Sequence, residues 1–285
     1  MSAPPLYPLQ YEGLVRGALA EDLGRAGDVT SDAIAAPGER GSGLVVARGP
    51  LRVAGLGVGL SAFCQLSDEV EIEVLLGDGD DAQPGVPLAR VTGPARVLLA
   101  AERTALNLIG HLSGVATATR DVVRRLEGLP TRVVCTRKTT PGLRALEKHA
   151  VRVGGGSSHR YGLDDAVLVK DNHRVLAGGV EEAVSRVRRS VGHLMKIEVE
   201  VDTLEQLEAA LRCGVDAVLL DNMTHGDLRR AVARVAGRAV TEASGGITPE
   251  TCRAVAETGV DLVSLGWLTH SAPAADVAFD LELRV

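Results

Sequence analysis

Basic side chains greatly outnumber acidic ones in one short stretch of a chain that is acidic overall, with a formal net charge of −6 over 285 residues. The stretch, 135–149, reads CTRKTTPGLRALEKH and contains a single acid. Its basic residues are Arg137, Lys138, Arg144, Lys148 and His149. A guanidinium makes paired hydrogen bonds to a carboxylate, whereas an ammonium acts as a point charge. The stretch therefore predicts either an anion-binding site or a solvated, ion-paired helix face.

Position along the chain separates these two alternatives. The Arg-Lys pair follows a strand predicted at 132–136, and Pro141 can open a helix because its missing N–H is not needed there. Donors at a strand end and a helix start are typical of an anion site. We assign this role to Thr136, Arg137 and Lys138. We interpret Arg144 and Lys148, at i and i+4 on the following helix, as a solvated or ion-paired face.

A second group of candidate residues lies in GGGSSHRYG (154–162) and at Lys170. The glycines allow a ligand to approach the backbone closely, and His159 and Arg160 add an imidazole and a guanidinium. Lys170 closes an apolar run and has four interpretations: a Schiff-base nucleophile, an amine that acts as a base beside neighbouring cations, an electrostatic partner of an anion, or a salt bridge with Asp171.

Lysine is rare in this chain. Of the 31 Lys and Arg residues only four are lysines, namely Lys138, Lys148, Lys170 and Lys196. A lysine kept under such a bias toward arginine indicates a position where a compact ammonium on a flexible stem is preferred.

Carboxylates accompany the later predicted strands. Glu198 and Glu200 share one side of a strand at 196–201, and Asp221 follows the next one at 215–220. Among so many cations these groups could bind a divalent metal, hydrogen-bond sugar hydroxyls or stabilise an oxocarbenium-like transition state. One of the two glutamates could instead pair with a neighbouring Lys or Arg.

Small residues follow the last two predicted strands. They are Ser244, Gly245, Gly246, Ser264, Leu265 and Gly266. Phosphate sites of α/β barrels commonly occupy the loops after the final strands, near a helix start, although glycine-rich turns also serve packing alone. We expect a phosphate cradle here. Carboxylates suited to a sugar cation and a cradle for its phosphate together indicate glycosyl transfer.

A strand–helix alternation must position these groups. Its predicted strands are 132–136, 165–170, 196–201, 215–220, 238–243 and 260–266. Such alternation predicts a parallel sheet. An open doubly wound sheet feeds its site from two or three strands, whereas here nearly every strand ends in a polar or small residue. We therefore predict an incomplete α/β barrel.

The region before the barrel has a different pattern. Residues 8–22 predict a helix, and short apolar or alternating runs separated by turns predict strands at 42–48, 51–55, 70–76 and 87–93. A long helical pattern over 94–128 is expected to be interrupted near Gly110 and Gly114.

Composition excludes several classes of protein. A hydrophobic content of 45% and a charged content of 24% are those of a globular protein. We find neither a run of about 20 apolar residues nor a signal-peptide pattern, and we expect a cytoplasmic location. The acidic balance argues against nucleic-acid binding, and four scattered cysteines without a CxxC pair argue against a zinc site.

Seven segments in fixed order resemble the quinolinate phosphoribosyltransferase family. They are 102–120, 136–156, 159–173, 197–206, 219–224, 243–248 and 264–271. The resemblance implies an α/β protein with two domains. These are an N-terminal α/β sandwich over 1–107, with 270–285 packing back on it, and an incomplete α/β barrel over 108–269.

The family resemblance also implies an activity and residue roles. The activity is transfer of the phosphoribosyl group of PRPP to quinolinate, with Mg²⁺, giving nicotinate mononucleotide, pyrophosphate and CO₂ in NAD synthesis. In a dimer or higher homo-oligomer, Arg103 would complete the partner's site. Arg137, Lys138, His159 and Arg160 would hold quinolinate, with Lys170 lining the site. Glu200 and Asp221 would face the ribose and metal side of PRPP. Ser244, Gly245, Gly246, Ser264, Leu265 and Gly266 would cradle phosphate.

Three other functions are compatible with parts of the sequence. A lysine aldolase would use Lys138 or Lys170. A related transferase would take another pyridine or a metal-associated acid as acceptor. A non-catalytic binding protein would leave the full set of converging charges unexplained.

Overall fold

The computed structural model describes residues 4–283, which form two compact units. The first unit contains the chain up to Arg120, Thr140–Gly155 and the residues from Ser271 onward. The second unit contains Asp121–Thr139 and Gly156–His270. The predicted domain ranges 1–107, 108–269 and 270–285 stay a prediction about which parts fold independently.

The helices and strands are numbered in chain order. The helices are α1 (Glu12–Leu23), α2 (Val29–Ile34), α3 (Leu56–Leu66), α4 (Ala95–Arg125), α5 (Arg144–Val153), α6 (Asp171–Ala177), α7 (Val180–Ser190), α8 (Leu204–Arg212), α9 (His225–Val235), α10 (Cys252–Ala256) and α11 (Trp267–His270). The strands are β1 (Arg40–Ala47), β2 (Leu51–Arg52), β3 (Glu71–Val74), β4 (Asp81–Ala82), β5 (Pro87–Pro94), β6 (Arg132–Val134), β7 (Val167–Val169), β8 (Ile197–Val201), β9 (Ala217–Asp221), β10 (Val240–Ser244), β11 (Leu262–Ser264) and β12 (Val277–Leu283). No helix within residues 4–283 is long and apolar enough to cross a membrane.

The first unit is built on an antiparallel sheet of four strands in the order β12-β1-β5-β3. The C-terminal strand β12 pairs with β1, from Ala47 opposite Val277 to Gly41 opposite Leu283. The prediction that the C-terminal segment completes the N-terminal sandwich is therefore confirmed. Gly43 permits this packing, since a Cβ there would lie 2.2 Å from the ring of Phe279.

Helix α4 runs without a break from Ala95 to Arg125, so the predicted interruption near Gly110 and Gly114 is wrong. The two glycines serve close packing instead. A Cβ on Gly114 would lie 2.1 Å from the Pro273 carbonyl oxygen, and one on Gly110 would lie 2.8 Å from that of Ala275. Because these two positions of α4 carry no side chain, the segment that leads into β12 can pack closely against the helix.

The second unit is a parallel sheet of six strands in the order β6-β11-β10-β9-β8-β7. Its first and second strands along the chain, β6 and β7, occupy opposite edges. Consecutive strands are otherwise neighbours, which is the order of a barrel that is open between its first two strands. The predicted incomplete α/β barrel is confirmed. Alternate residues such as Val199, Val218 and Val263 are fully buried and form its core.

Helix α5 differs from its prediction in two respects. It begins at Arg144, because Pro141 lies in a turn closed by the Leu143 amide donating to the Thr140 carbonyl over 3.0 Å. Lys148 is fully buried, so the solvated alternative for its helix face is wrong. Helices α8 and α9 start on threonine caps, whose hydroxyls accept from amides three residues later.

Candidate active site

One cavity of about 730 Å³ collects almost all the residues singled out from the sequence, at the C-terminal ends of the parallel strands. Its predicted lining residues are Thr136, Arg137, Lys138, His159, Arg160, Lys170, Glu200, Asp221, Ser244, Gly245, Gly246, Ser264 and Gly266. All belong to the second unit. The position is the one that α/β barrels use for their active sites.

Two of the predicted residues do not line this cavity. The Leu265 side chain is fully buried, and its amide donates to the Val134 carbonyl over 3.0 Å, so this residue belongs to the sheet. Arg103 lies on α4 in the first unit with a side chain 64% exposed, and its nearest acid is Glu102 at 4.0 Å.

The guanidinium groups of the cavity are not paired with acids. Within residues 4–283 no carboxylate lies within 4.0 Å of Arg137, Lys138 or Arg160, and the buried Nε atoms of both arginines lack a hydrogen-bond partner. The Arg160 guanidinium donates to the Ala166 carbonyl over 3.0 Å. Burial, followed by the nearby charge of Arg137, lowers the pKa of Arg160. An anion in the cavity would relieve this repulsion.

His159 is held by protein groups at both ring nitrogens. The Arg160 amide donates to Nδ1 over 2.7 Å, which leaves Nε2 as the donor to the Glu198 carboxylate at 2.9 Å. A Glu242 oxygen lies 3.8 Å from the same Nε2. The three side chains place a nitrogen and two carboxylate oxygens within 4.8 Å of one another, a donor set that could hold a metal ion.

Lys170 pairs with Glu200 rather than with Asp171. Its Nζ lies 3.3 Å from a Glu200 oxygen, whereas the Asp171 carboxylate accepts from the Asn172 amide. The salt-bridge interpretation with Asp171 is therefore wrong. The alternative that one glutamate of β8 pairs with a lysine is confirmed.

Glu200 and Asp221 lie on the neighbouring strands β8 and β9, where Glu200 is opposite Leu219 and Asp221 follows two residues later. Glu200 is buried, and an Asp221 oxygen accepts from the Asn222 side chain over 2.7 Å. Carboxylate oxygens are the ligands that Mg²⁺ prefers, so these two residues fit the predicted metal.

The turn after β10 presents backbone donors to the cavity. Gly245 has φ +100°, and a Cβ there would lie 2.2 Å from Asn222 Oδ1. Asn222 is itself left-handed at φ 53°, and its amide donates to the Ser244 carbonyl. Within the described part of the chain, the amides of Gly245 and Gly246 have no acceptor. Such free amides in a tight turn form an anion-binding concavity.

Sequence reasoning missed several residues of the cavity wall. They are Leu168, Leu219, Asn222, Glu242, Ile247, Thr248, Trp267 and His270. Glu242 carried a usable signal, because it precedes Ser244 by two residues on β10, as Glu198 precedes Glu200 on β8. The apolar residues carried none, since buried strands are apolar throughout.

Comparison with known proteins identifies the family of this chain. The family models for the C-terminal and N-terminal domains of quinolinate phosphoribosyl transferase match residues 115–280 and 28–113. A probable nicotinate-nucleotide pyrophosphorylase (carboxylating) of Bacillus subtilis is 42% identical over 276 residues, 96% of this chain and 94% of the relative. The Mycobacterium leprae enzyme of that description is 43% identical over 272 residues, 94% and 95% of the two chains.

A solved structure extends the comparison to the whole fold. The nicotinate-nucleotide pyrophosphorylase of Francisella tularensis superimposes with a TM-score of 0.94 at 34% identity and covers 99% of both chains. Both family models, relatives above 40% identity and near-complete structural coverage agree. The chain therefore belongs to the quinolinate phosphoribosyltransferase family.

Proposed function

We propose that this chain transfers the phosphoribosyl group of PRPP to quinolinate, releasing pyrophosphate and CO₂ and forming nicotinate mononucleotide for de novo NAD synthesis. The observation that carries the proposal is that one cavity is lined by three cations with no carboxylate of the described residues within 4.0 Å, namely Arg137, Lys138 and Arg160. Quinolinate carries two adjacent carboxylates, and paired guanidinium contacts are the strongest protein ligands for such groups.

The proposed division of roles follows the walls of the cavity. Arg137 and Arg160 bind the carboxylates and orient the pyridine nitrogen toward C1 of the ribose. The amides of Gly245 and Gly246 bind phosphate oxygens. Glu200 faces the positive charge that grows on the ribose as pyrophosphate leaves. These contributions are positioning and charge complementarity, so no covalent intermediate with the protein is required.

Decarboxylation follows transfer in this scheme. Once the pyridine nitrogen is quaternary, its positive charge stabilises the electron pair that stays on the adjacent ring carbon when the bond to CO₂ breaks. That carbon then takes up a proton, and nicotinate mononucleotide results.

The proposed cofactor is Mg²⁺ bound together with PRPP. Glu200 and Asp221 would hold it through their carboxylate oxygens. When bound, Mg²⁺ neutralises charge on the pyrophosphate oxygens. The pairing of Glu200 with Lys170 means that this carboxylate can also be balanced by protein alone.

The proposal is tested by incubating the pure protein with quinolinate, PRPP and Mg²⁺ and measuring nicotinate mononucleotide and CO₂. Absence of both products would reject it. Nicotinate and other pyridine acids in place of quinolinate separate it from a related transferase. Borohydride trapping of a substrate imine on Lys138 or Lys170 would instead favour the lysine aldolase.

A homo-oligomer completes the proposal, with Arg103 supplied to the partner's site in a cytoplasmic enzyme. Its exposed side chain, 4.0 Å from the nearest acid, supports such a role. Mixing Arg103→Ala with Lys138→Ala protein should restore part of the activity that each variant lacks, since one shared site regains both residues. No recovery despite confirmed subunit exchange would reject the shared site.

A further inference from the structure

We propose that Thr269 is a positioning residue for Lys138 in the reaction proposed above, on which this inference rests. Thr269 lies on α11, directly after the last strand of the barrel, and is 3% exposed. Its hydroxyl donates to the Lys138 carbonyl over 2.8 Å, a contact between residues 131 positions apart. Lys138 lines the cavity, whereas Thr269 does not.

The ordinary explanation for a helical threonine is a hydrogen bond to a carbonyl three or four residues earlier on its own helix. Here that carbonyl is Gly266 O, at 3.3 Å from the hydroxyl, and it already accepts from the amides of Thr269 and His270. A hydroxyl has one hydrogen, and the shorter contact goes to Lys138. Within residues 4–283 no other group donates to the Lys138 carbonyl.

The backbone of Lys138 is consequently fixed on both sides. Its amide donates to the Thr136 hydroxyl over 3.0 Å, and its carbonyl accepts from Thr269. The side chain packs on Gly266, where a Cβ would lie 2.9 Å from Lys138 Cδ. The ammonium has no carboxylate within 4.0 Å in the described chain. The backbone of Lys138 is therefore fixed while its ammonium has no acidic partner among residues 4–283. In this arrangement the ammonium is positioned for the substrate before the substrate binds.

The test compares three substitutions at two threonines. Thr269→Val keeps the shape and removes the donor, Thr269→Ser keeps the donor, and Thr258→Val is the matched control. Thr258 is also buried in the second unit, but its hydroxyl donates to the Val255 carbonyl three residues earlier, and to no other group of the described residues. We expect Thr269→Val to lower kcat/KM about tenfold with a raised KM for quinolinate. Thr269→Ser should stay within about twofold of wild type.

The split between KM and kcat separates positioning from loss of folded protein. A smaller folded fraction lowers the maximal rate and leaves KM unchanged, which is the result expected for Thr258→Val. An unchanged quinolinate KM in Thr269→Val, or a Thr269→Ser variant as impaired as Thr269→Val, would overturn the proposal. If Thr269→Val does not fold, Thr269→Ala removes the same donor and is used in place of Thr269→Val.

A readout independent of activity uses the scarcity of lysine. Reductive ¹³C-methylation labels at most four lysines and the chain terminus, and Lys138→Arg identifies the Lys138 signal. Thr269→Val should shift that signal and leave the exposed Lys196 signal in place. If the Lys138 signal does not move, the positioning role is rejected even in an active enzyme. If it moves in a protein that makes no nicotinate mononucleotide, the proposed function fails and the contact stands.

Discussion

The same basic stretch contributes to two regions with opposite treatments of charge. On α5, in the first unit, the buried Glu147 lies 2.9 Å from His111 Nε2 and accepts from the Thr140 amide, while His149 lies 2.8 Å from Asp78. In the second unit, Arg137, Lys138 and Arg160 have no carboxylate of the described residues within 4.0 Å, whereas Lys170 pairs with Glu200 and His159 with Glu198. We call the first set of charges closed, because its members are paired within the protein. We call Arg137, Lys138 and Arg160 open, because they have no acidic partner among the described residues.

This difference separates charges that stabilise the fold from charges that are available to bind a ligand. A buried charge with a partner is costly to disrupt, because truncating one member leaves the other desolvated. An unpaired cation at a cavity contributes no stability to the fold, and its electrostatic interactions become favourable when an anion binds. Stability and binding should therefore respond in opposite ways to substitutions in the two regions.

The largest expected effect is on stability, for Asp78→Ala. Burial opposes ionisation of Asp78, but hydrogen bonds from His149 and the amides of Gly55 and Leu56 outweigh it and lower its pKa. The substitution removes the partner of His149 and the acceptor at the start of α3. We expect the free energy of unfolding to fall by about 3 kcal/mol in urea titrations. Asp80→Ala, in the same loop, removes the acceptor of the Gly77 amide but no histidine partner, and it should cost under about 1 kcal/mol; equal losses would contradict the closed network.

The next effect is on binding, for Arg137→Lys. Loss of the paired guanidinium contacts should lower kcat/KM for quinolinate about 100-fold and leave the KM for PRPP nearly unchanged. The free energy of unfolding should change by less than about 0.5 kcal/mol, because no partner is lost. Arg132→Lys, at the other end of β6, is the control. Equal effects on both substrates, or a large loss of stability, would contradict the role of an open cation.

A smaller effect is expected for Gly245→Ala, which tests the backbone donors of the open site. Any side chain at φ +100° is strained, and here it also meets Asn222 at 2.2 Å. Gly237→Ala shares a positive φ, +75°, but has open space around it. We expect Gly245→Ala to cost about 1 kcal/mol more stability than Gly237→Ala, and only Gly245→Ala to weaken PRPP binding in calorimetry. Identical behaviour of the two variants would remove the argument for a close-packed turn.

The smallest effect is a pH dependence in the first unit. A hydrogen bond from Arg52 and a second from Arg120, opposed by burial, lower the pKa of Asp81 from 3.8 to about 2. The stabilisation is complete above pH 3.8 and is lost as the pH falls toward 2. Asp81→Asn should cost about 1 kcal/mol at pH 7, less than the pKa shift implies because a third of the side chain is exposed. Urea titrations from pH 7 to 3 should show this gap narrowing; a gap that widens would contradict the pairing.

Local pattern predicted the elements better than it predicted their surroundings. The strands of the barrel were recognisable because apolar runs alternate with helical patterns, and each ends within about three residues of its expected limit. The predicted interruption of α4 was wrong because the sequence alone does not distinguish a glycine that permits close packing from one that breaks a helix. The burial of Lys148 was missed because a helix face is polar or buried according to what packs on it.

The candidate site divides in the same way. The residues after each strand could be found from the sequence, since parallel strands bring their carboxyl ends to one edge of a sheet whatever their side chains are. Glu242 and Asn222 were missed because their place in the cavity depends on register and on a left-handed backbone turn.

By itself the sequence determined which groups can do chemistry and, through strand–helix periodicity, the edge at which they meet. Only the tertiary structure decided which charges are neutralised. His149 and Arg137 are both basic and lie 12 positions apart, yet one is paired with an acid and the other is not. The physical reason is that pairing depends on atoms brought within 3 or 4 Å by long-range contacts, and neither periodicity nor composition encodes those distances.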